Sequence, residues 1–141
     1  MPRIGLFDNA VTGYLGFCAV KFAAYSVAAH FISRAYHVTD RSALLIGGTR
    51  TLIGMVAGAA YFGLNRASGD ALLRVGHSSY FIGLFPIRLA EWWLLLWLFY
   101  DRNFQHKAKD WRVVLLGTVW SYLCDIPATM GWLMTGGTIV C

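Results

Sequence analysis

Charge is what this sequence has least of. Only 13% of its 141 residues are Asp, Glu, Lys or Arg, against about 25% in a soluble domain. A chain this short has a large surface for its volume and needs charge to cover it in water. With so little charge and 57% hydrophobic residues, the surface is expected to meet lipid rather than water.

Other absences narrow the chemistry. There are three cysteines, Cys18, Cys124 and Cys141, and none forms a CxxC pair, which excludes a zinc ribbon or a thioredoxin-like site. Cys18 and Cys124 fall in apolar stretches and read as small core residues. Cys141 is not part of a prenylation box. His30 lies near the end of the first apolar stretch, and His37, His77 and His106 lie in or beside polar segments. No HExxH, HxxxH or His/carboxylate cluster appears, so neither a metal nor a cofactor is expected. GxSxG, Walker A and GxGxxG are all missing. The net charge is +5, but without a long basic run it points to cytoplasmic loops rather than to nucleic acid. The start does not read as a cleaved leader, because Asp8 and Lys21 interrupt it and Arg3 is its only early basic residue.

What is present is four long apolar segments. About 20 apolar helical residues cross a bilayer. Ala10–Ile32, Ala43–Leu64, Ser79–Tyr100 and Val113–Met134 each meet that length. SRAYHVTDRS, NRASGDALLRVGHS and DRNFQHKAKDWR connect them. Short connections make successive helices antiparallel neighbours. The expected fold is an all-α membrane protein, an antiparallel four-transmembrane-helix bundle, with residues 1–141 forming one domain.

Basic residues set the orientation. Arg34, Arg41, Arg102, Lys107, Lys109 and Arg112 lie in the first and third connections, against Arg3, Arg66 and Arg74 on the other side. This bias places those two connections in the cytoplasm, and both termini outside, in the cell (inner) membrane. Trp97, Tyr100, Trp111 and Trp132 fall near segment ends, where amphipathic rings favour the interface.

Against this background, five charges stand where charges are costly. Lys21, Arg50, Arg88, Glu91 and Asp125 lie well inside the segments. Each costs roughly 2.5–3.5 kcal/mol when exposed to lipid at a helix centre. Residues three or four apart share a helix face. Tyr14, Cys18, Lys21 and Tyr25 form one stripe, and Thr118, Ser121, Asp125, Thr129 and Trp132 another. Gly47, Arg50, Gly54, Gly58 and Tyr61 form a third, and Leu84, Arg88, Glu91 and Leu95 a fourth. One charged stripe per helix points to a common polar interior, near the midplane and open toward the cytoplasmic half. Gly54 and Gly58 have the GxxxG spacing that lets helix backbones approach. Pro86 and Pro127 sit inside helical segments.

Two functions follow from these charges. In the first, three cations and two carboxylates leave one positive charge in excess, which favours an anionic and lipid-linked substrate. Lys21, Arg50, Arg88 and Tyr25 would hold the substrate, and Glu91 and Asp125 would be the catalytic or proton-moving groups. In the second, the chain is a noncatalytic accessory subunit of a larger membrane complex, and its charges serve helix packing. There Arg88 pairs with Glu91 and Lys21 with Asp125. Arg50 is left over and snorkels to the surface. Membrane lipids and a homo-oligomer are expected partners under both readings. No motif names a reaction, so enzyme and binding protein stand as alternatives.

Overall fold

The computed structural model describes residues 10–38, 40–69 and 77–135, and their side chains over 15–38, 40–69 and 82–126. Among the described residues the structure is all-helical. Its four helices are α1 (Ala10–Tyr36), α2 (Ala43–Ala67), α3 (His77–Phe99) and α4 (Lys107–Thr135). Within these, Leu15–Tyr36, Ala43–Ala67 and Ile82–Phe99 are long and apolar enough to cross a membrane, which fits an integral membrane protein. The fourth helix is less apolar, because it opens on Lys107-Ala108-Lys109-Asp110 and carries Thr118, Ser121 and Asp125.

Two helix ends differ from the apolar pattern, for local reasons. α1 runs on to Tyr36 because His37 adopts a left-handed conformation (φ 55°) that closes the last turn. The Val38 amide donates to the Ser33 carbonyl at 3.0 Å and the His37 amide to that of Arg34 at 3.3 Å. This pair of hydrogen bonds is usually built on a glycine, and here a histidine stands in its place, so no glycine marks the helix end. α4 starts six residues before Val113, at Lys107. Asp101 organises the preceding turn, accepting from the Asn103 amide at 3.1 Å and the His106 amide at 3.2 Å. At the start of α2, Ser42 caps the helix by accepting from the Leu44 amide.

α1 lies against α2 and α4, and α3 lies against the same two helices. The C-terminal ends of α1 and α3 meet the N-terminal ends of α2 and α4. Tyr36 bonds Asp110, the Tyr36 and Tyr100 rings lie 5.4 Å apart, and Arg41 stands over the Phe99 ring. Successive helices therefore alternate in direction. α1 and α2 approach closely at Gly47, where an added Cβ would lie 2.3 Å from Ser26 Oγ and 2.6 Å from the Ser26 amide nitrogen.

Burial is arranged opposite to that of a water-soluble protein. Leu15, Phe31, Leu52, Val56, Leu64, Ile82 and Leu116 are all more than 60% exposed, whereas Arg50 and Ser121 are 0% exposed. Apolar surface outward and charge inward is the partition a lipid solvent favours. Trp97 and Trp111 are exposed near the common end and Tyr100 is partly buried there. Trp132 lies outside the described side chains.

Candidate functional site: a ring of buried charges

Five charged side chains and one serine join all four helices. Lys21 Nζ on α1 pairs with Asp125 Oδ1 on α4 at 2.5 Å. Asp125 Oδ2 takes Arg88 Nη2 of α3 at 3.0 Å. Arg88 Nη1 reaches Glu91 Oε2, one helix turn on, at 3.2 Å. Glu91 Oε2 also takes Arg50 Nη2 of α2 at 2.6 Å. Arg50 Nη2 donates onward to Ser121 Oγ of α4 at 3.1 Å, and Tyr25 of α1 bonds the same hydroxyl at 3.3 Å. Tyr25 and Lys21 are one turn apart, as are Ser121 and Asp125, so the chain of contacts closes on itself.

Helical spacing explains the closure. Each helix presents its polar residues three or four apart, hence on one face. Alternating signs then let each charge meet its opposite, which a low-dielectric interior requires. The order is positive, negative, positive, negative, positive.

Aromatic rings hold Arg50 in place. Its Cζ lies 4.7 Å from the Tyr25 ring centroid and 5.1 Å from that of Trp92. The two rings meet edge to face with centroids 6.1 Å apart. Trp92 Nε1 donates to Ser121 Oγ at 3.0 Å. Gly117, one turn before Ser121, makes room for this indole, since a Cβ there would lie 2.3 Å from Trp92 Cδ2.

The structure thus brings Lys21, Arg50, Arg88, Tyr25, Glu91 and Asp125 together. Lys21 and Asp125 pair, as do Arg88 and Glu91. Arg50 overturns the snorkelling expectation: its guanidinium is buried and bonded to Glu91, not extended to the surface. Ser121 lay on a recognised stripe, yet its role as the shared acceptor was not expected. Trp92 and Gly117 were missed, and their only sequence signal is the Gly117, Ser121, Asp125 spacing. Tyr14 and Thr129 lie outside the described side chains.

A small cleft of about 10 Å³ adjoins the ring, roughly the room of one water molecule. Lys21, Tyr25, Thr51 and Arg88 line it together with Phe17, Cys18, Gly54 and Met55. None of Arg50, Glu91 and Asp125 lines it. Phe17 precedes Lys21 on α1 and Met55 follows Arg50 on α2, so the cleft lies away from the end that carries Tyr36 and Asp110. This cleft therefore does not lie on the side of the first and third connections. Instead, a layer of Tyr25, Ala29, Ile46, Trp92, Leu95, Leu96 and Val114 separates the ring from them.

Gly54 also departs from the GxxxG expectation. A Cβ there would meet Arg50 Nη1 at 3.1 Å and Arg88 Nη1 at 3.7 Å, so the residue leaves space for guanidinium groups. Arg50 Nη1 and Nε and Arg88 Nε are buried without a hydrogen-bond partner. No group of His, Cys, Asp and Glu suited to a metal ion occurs among the described residues.

Comparison with protein-family models, with curated proteins and with solved structures finds no match for this chain. The functional reading therefore rests on the geometry of the ring and its cleft.

Proposed function

We propose that the chain is a four-span bundle of the cell membrane that binds an anionic, lipid-linked substrate at its ring of charges. The observation that carries this reading is the unbalanced set of three cations and two carboxylates beside a cleft, with guanidinium donors left unbonded. A buried donor without a partner is costly, and an anion supplies the strongest acceptor. Lys21, Arg88 and Tyr25 line the cleft and hold the substrate, and Arg50 supplies the excess positive charge from behind them. Glu91 and Asp125 stand behind the cations and orient them. Their position supports binding, with or without translocation, more than acid–base chemistry on the substrate.

The test compares Arg50→Gln and Arg50→Lys with the natural chain in one detergent, reading thermal stabilisation by added anionic lipid. Arg50→Gln brings the site to zero net charge and is expected to abolish the response. Arg50→Lys keeps the charge but loses the planar fork, so it is expected to respond weakly. A full response from Arg50→Gln defeats the reading.

The mutual pairing of the charges favours a second reading, in which the ring only locks the helices of an accessory subunit. Under it the isolated chain responds to no anion and purifies with a partner protein.

A further inference from the structure

The cleft has room for about one water molecule, and a phosphate or carboxylate head group is larger. Binding beside the ring therefore needs part of the bundle to give way, and three observations point to the same part. The ring divides its charges by helical hairpin. Its charges on α1 and α2 are the cations Lys21 and Arg50, whereas α3 and α4 carry both carboxylates and Arg88, which bonds each of them. The tight glycine contacts fall inside the hairpins, Gly47 against Ser26 in the first and Gly117 against Trp92 in the second. Every residue lining the cleft belongs to α1 or α2 except Arg88, so the cleft is a hollow of the first hairpin lidded by the second.

Parting the hairpins keeps Arg88 with its carboxylates but leaves Lys21 and Arg50 without a countercharge, which is costly in low dielectric. An anion between the hairpins offsets that cost. At the common end the hairpins are tied by Tyr36 to Asp110, by Tyr100 to Ser33 and the Ala29 carbonyl, and by Lys109 to the Ala35 carbonyl. On the cleft side of the ring, Tyr61 of α2 packs on Leu84 of α3.

Resting on the reading above, we propose that the two hairpins are the jaws of a clamp, with the common end as hinge and the ring as latch. An anionic head group parts the jaws on the cleft side and sits between Lys21 on one and Arg88 on the other. Its charge takes the place of Asp125 as the partner of Lys21. Without an anion the latch holds the jaws shut, as in this structure. Because the anion binds the open form and not the closed one, it shifts the population toward the open form.

The experiment measures distances between paired nitroxide labels on the full chain in zwitterionic detergent, with its own cysteines replaced. Val56→Cys follows Arg50 on α2 and Phe85→Cys precedes Arg88 on α3, so this pair spans the jaws on the cleft side. Leu45→Cys with Trp97→Cys spans them at the common end, and Leu15→Cys with Leu64→Cys lies within the first jaw. All of these side chains are exposed. Added phosphatidylglycerol is expected to lengthen the first distance by several ångströms and to leave the other two unchanged. Phosphatidylcholine is expected to change none.

An unchanged Val56–Phe85 distance in a chain that phosphatidylglycerol still stabilises against heat overturns the clamp and leaves the broader reading standing. Lengthening between Leu15 and Leu64 places the opening inside the first hairpin and also overturns the clamp. Equal lengthening at the common end overturns the hinge. Neither stabilisation nor a change of distance overturns both readings. A second readout joins Val56→Cys to Phe85→Cys with a thiol-reactive linker matched to their closed separation. The linked chain is expected to need about tenfold more lipid, or beyond that, for half-saturation, because its competent form becomes rare. The same treatment of Leu45→Cys and Trp97→Cys is expected to have no effect. An unchanged half-saturating concentration after linking on the cleft side overturns the clamp.

Discussion

Among the described residues, two polar clusters join the helices, and they are built from different chemistry. The ring is made of full charges, each set against its opposite, with Arg50 and Ser121 wholly buried. The cluster at the common end relies on hydroxyls. Tyr36 OH donates to Asp110 Oδ1 at 2.5 Å. Tyr100 OH lies 3.1 Å from Ser33 Oγ and donates to the Ala29 carbonyl at 3.2 Å. Lys109 donates to the Ala35 carbonyl and lies over the Tyr36 ring. The apolar layer around Trp92 and Leu96 lies between the two. The contrast follows from distance to water. A charge deep in the apolar interior needs a countercharge, whereas a polar group near the helix ends needs only one good hydrogen bond.

The sharpest way to break this contrast is to remove one charge from the ring. Asp125→Asn takes the carboxylate that pairs with Lys21 among the described residues and one of the two there that hold Arg88. Stranding a buried charge costs about 3–5 kcal/mol. Lys21→Met is expected to cost less, because Asp125 keeps Arg88. The double variant is expected to be more stable than Asp125→Asn alone, with a coupling of roughly 0.5–3 kcal/mol. Reversible unfolding in one detergent measures all three. Strictly additive effects would show that the two charges do not stabilise each other.

The matching change in the second cluster is Tyr36→Phe. Asp110 Oδ2 is already buried without a partner, so the substitution leaves the whole carboxylate unbonded. The expected loss is about 1–3 kcal/mol, smaller than that from the ring. The response to anionic lipid should stay as in the natural chain, because the apolar layer lies between. An altered lipid response would join the two clusters into one functional unit.

The sequence made the ring legible in part. The three-and-four spacing of Lys21, Arg88, Glu91 and Asp125 placed each on an inward stripe, and the cost of lipid exposure required those stripes to meet. Partners across helices were less legible, because they depend on how each helix is rotated. Arg50 was left without a partner only because Glu91 had been assigned to Arg88, whereas one carboxylate oxygen serves both. Gly54 was read as a backbone contact, but the close approach occurs at Gly47. Which glycine meets a neighbour depends on the crossing point, and spacing alone does not reveal it. The end of α1 and the start of α4 were hidden because a hydropathy pattern does not register the His37 cap or the Asp101 turn.

The smallest expected effect concerns pH, and it separates the clusters by their access to water. Asp101 lies just beyond Phe99, outside the apolar span of α3. Burial works against its charge, but the amide and ring of His106 and the amides of Asn103 and Gln105 outweigh that and hold the carboxyl below its ordinary value. A carboxyl lowered in the folded state contributes stability that is complete above its unfolded value of about 4. That contribution is lost as pH falls through the lower, folded value. Acidification from about pH 5 to 3 should therefore loosen the turn between α3 and α4 first. Hydrogen exchange checks this through the protection factors of the Asn103 and His106 amides, which correct for the intrinsic effect of pH. Protection there should fall over this window, while amides around Trp92 and Ser121 stay protected. Asp101→Asn keeps one acceptor but no ionisable group, so its turn should be less protected at neutral pH and indifferent to acid. Equal loss of protection in the turn and around the ring would mean that the helices open together, and the two clusters would then differ in chemistry but not in stability.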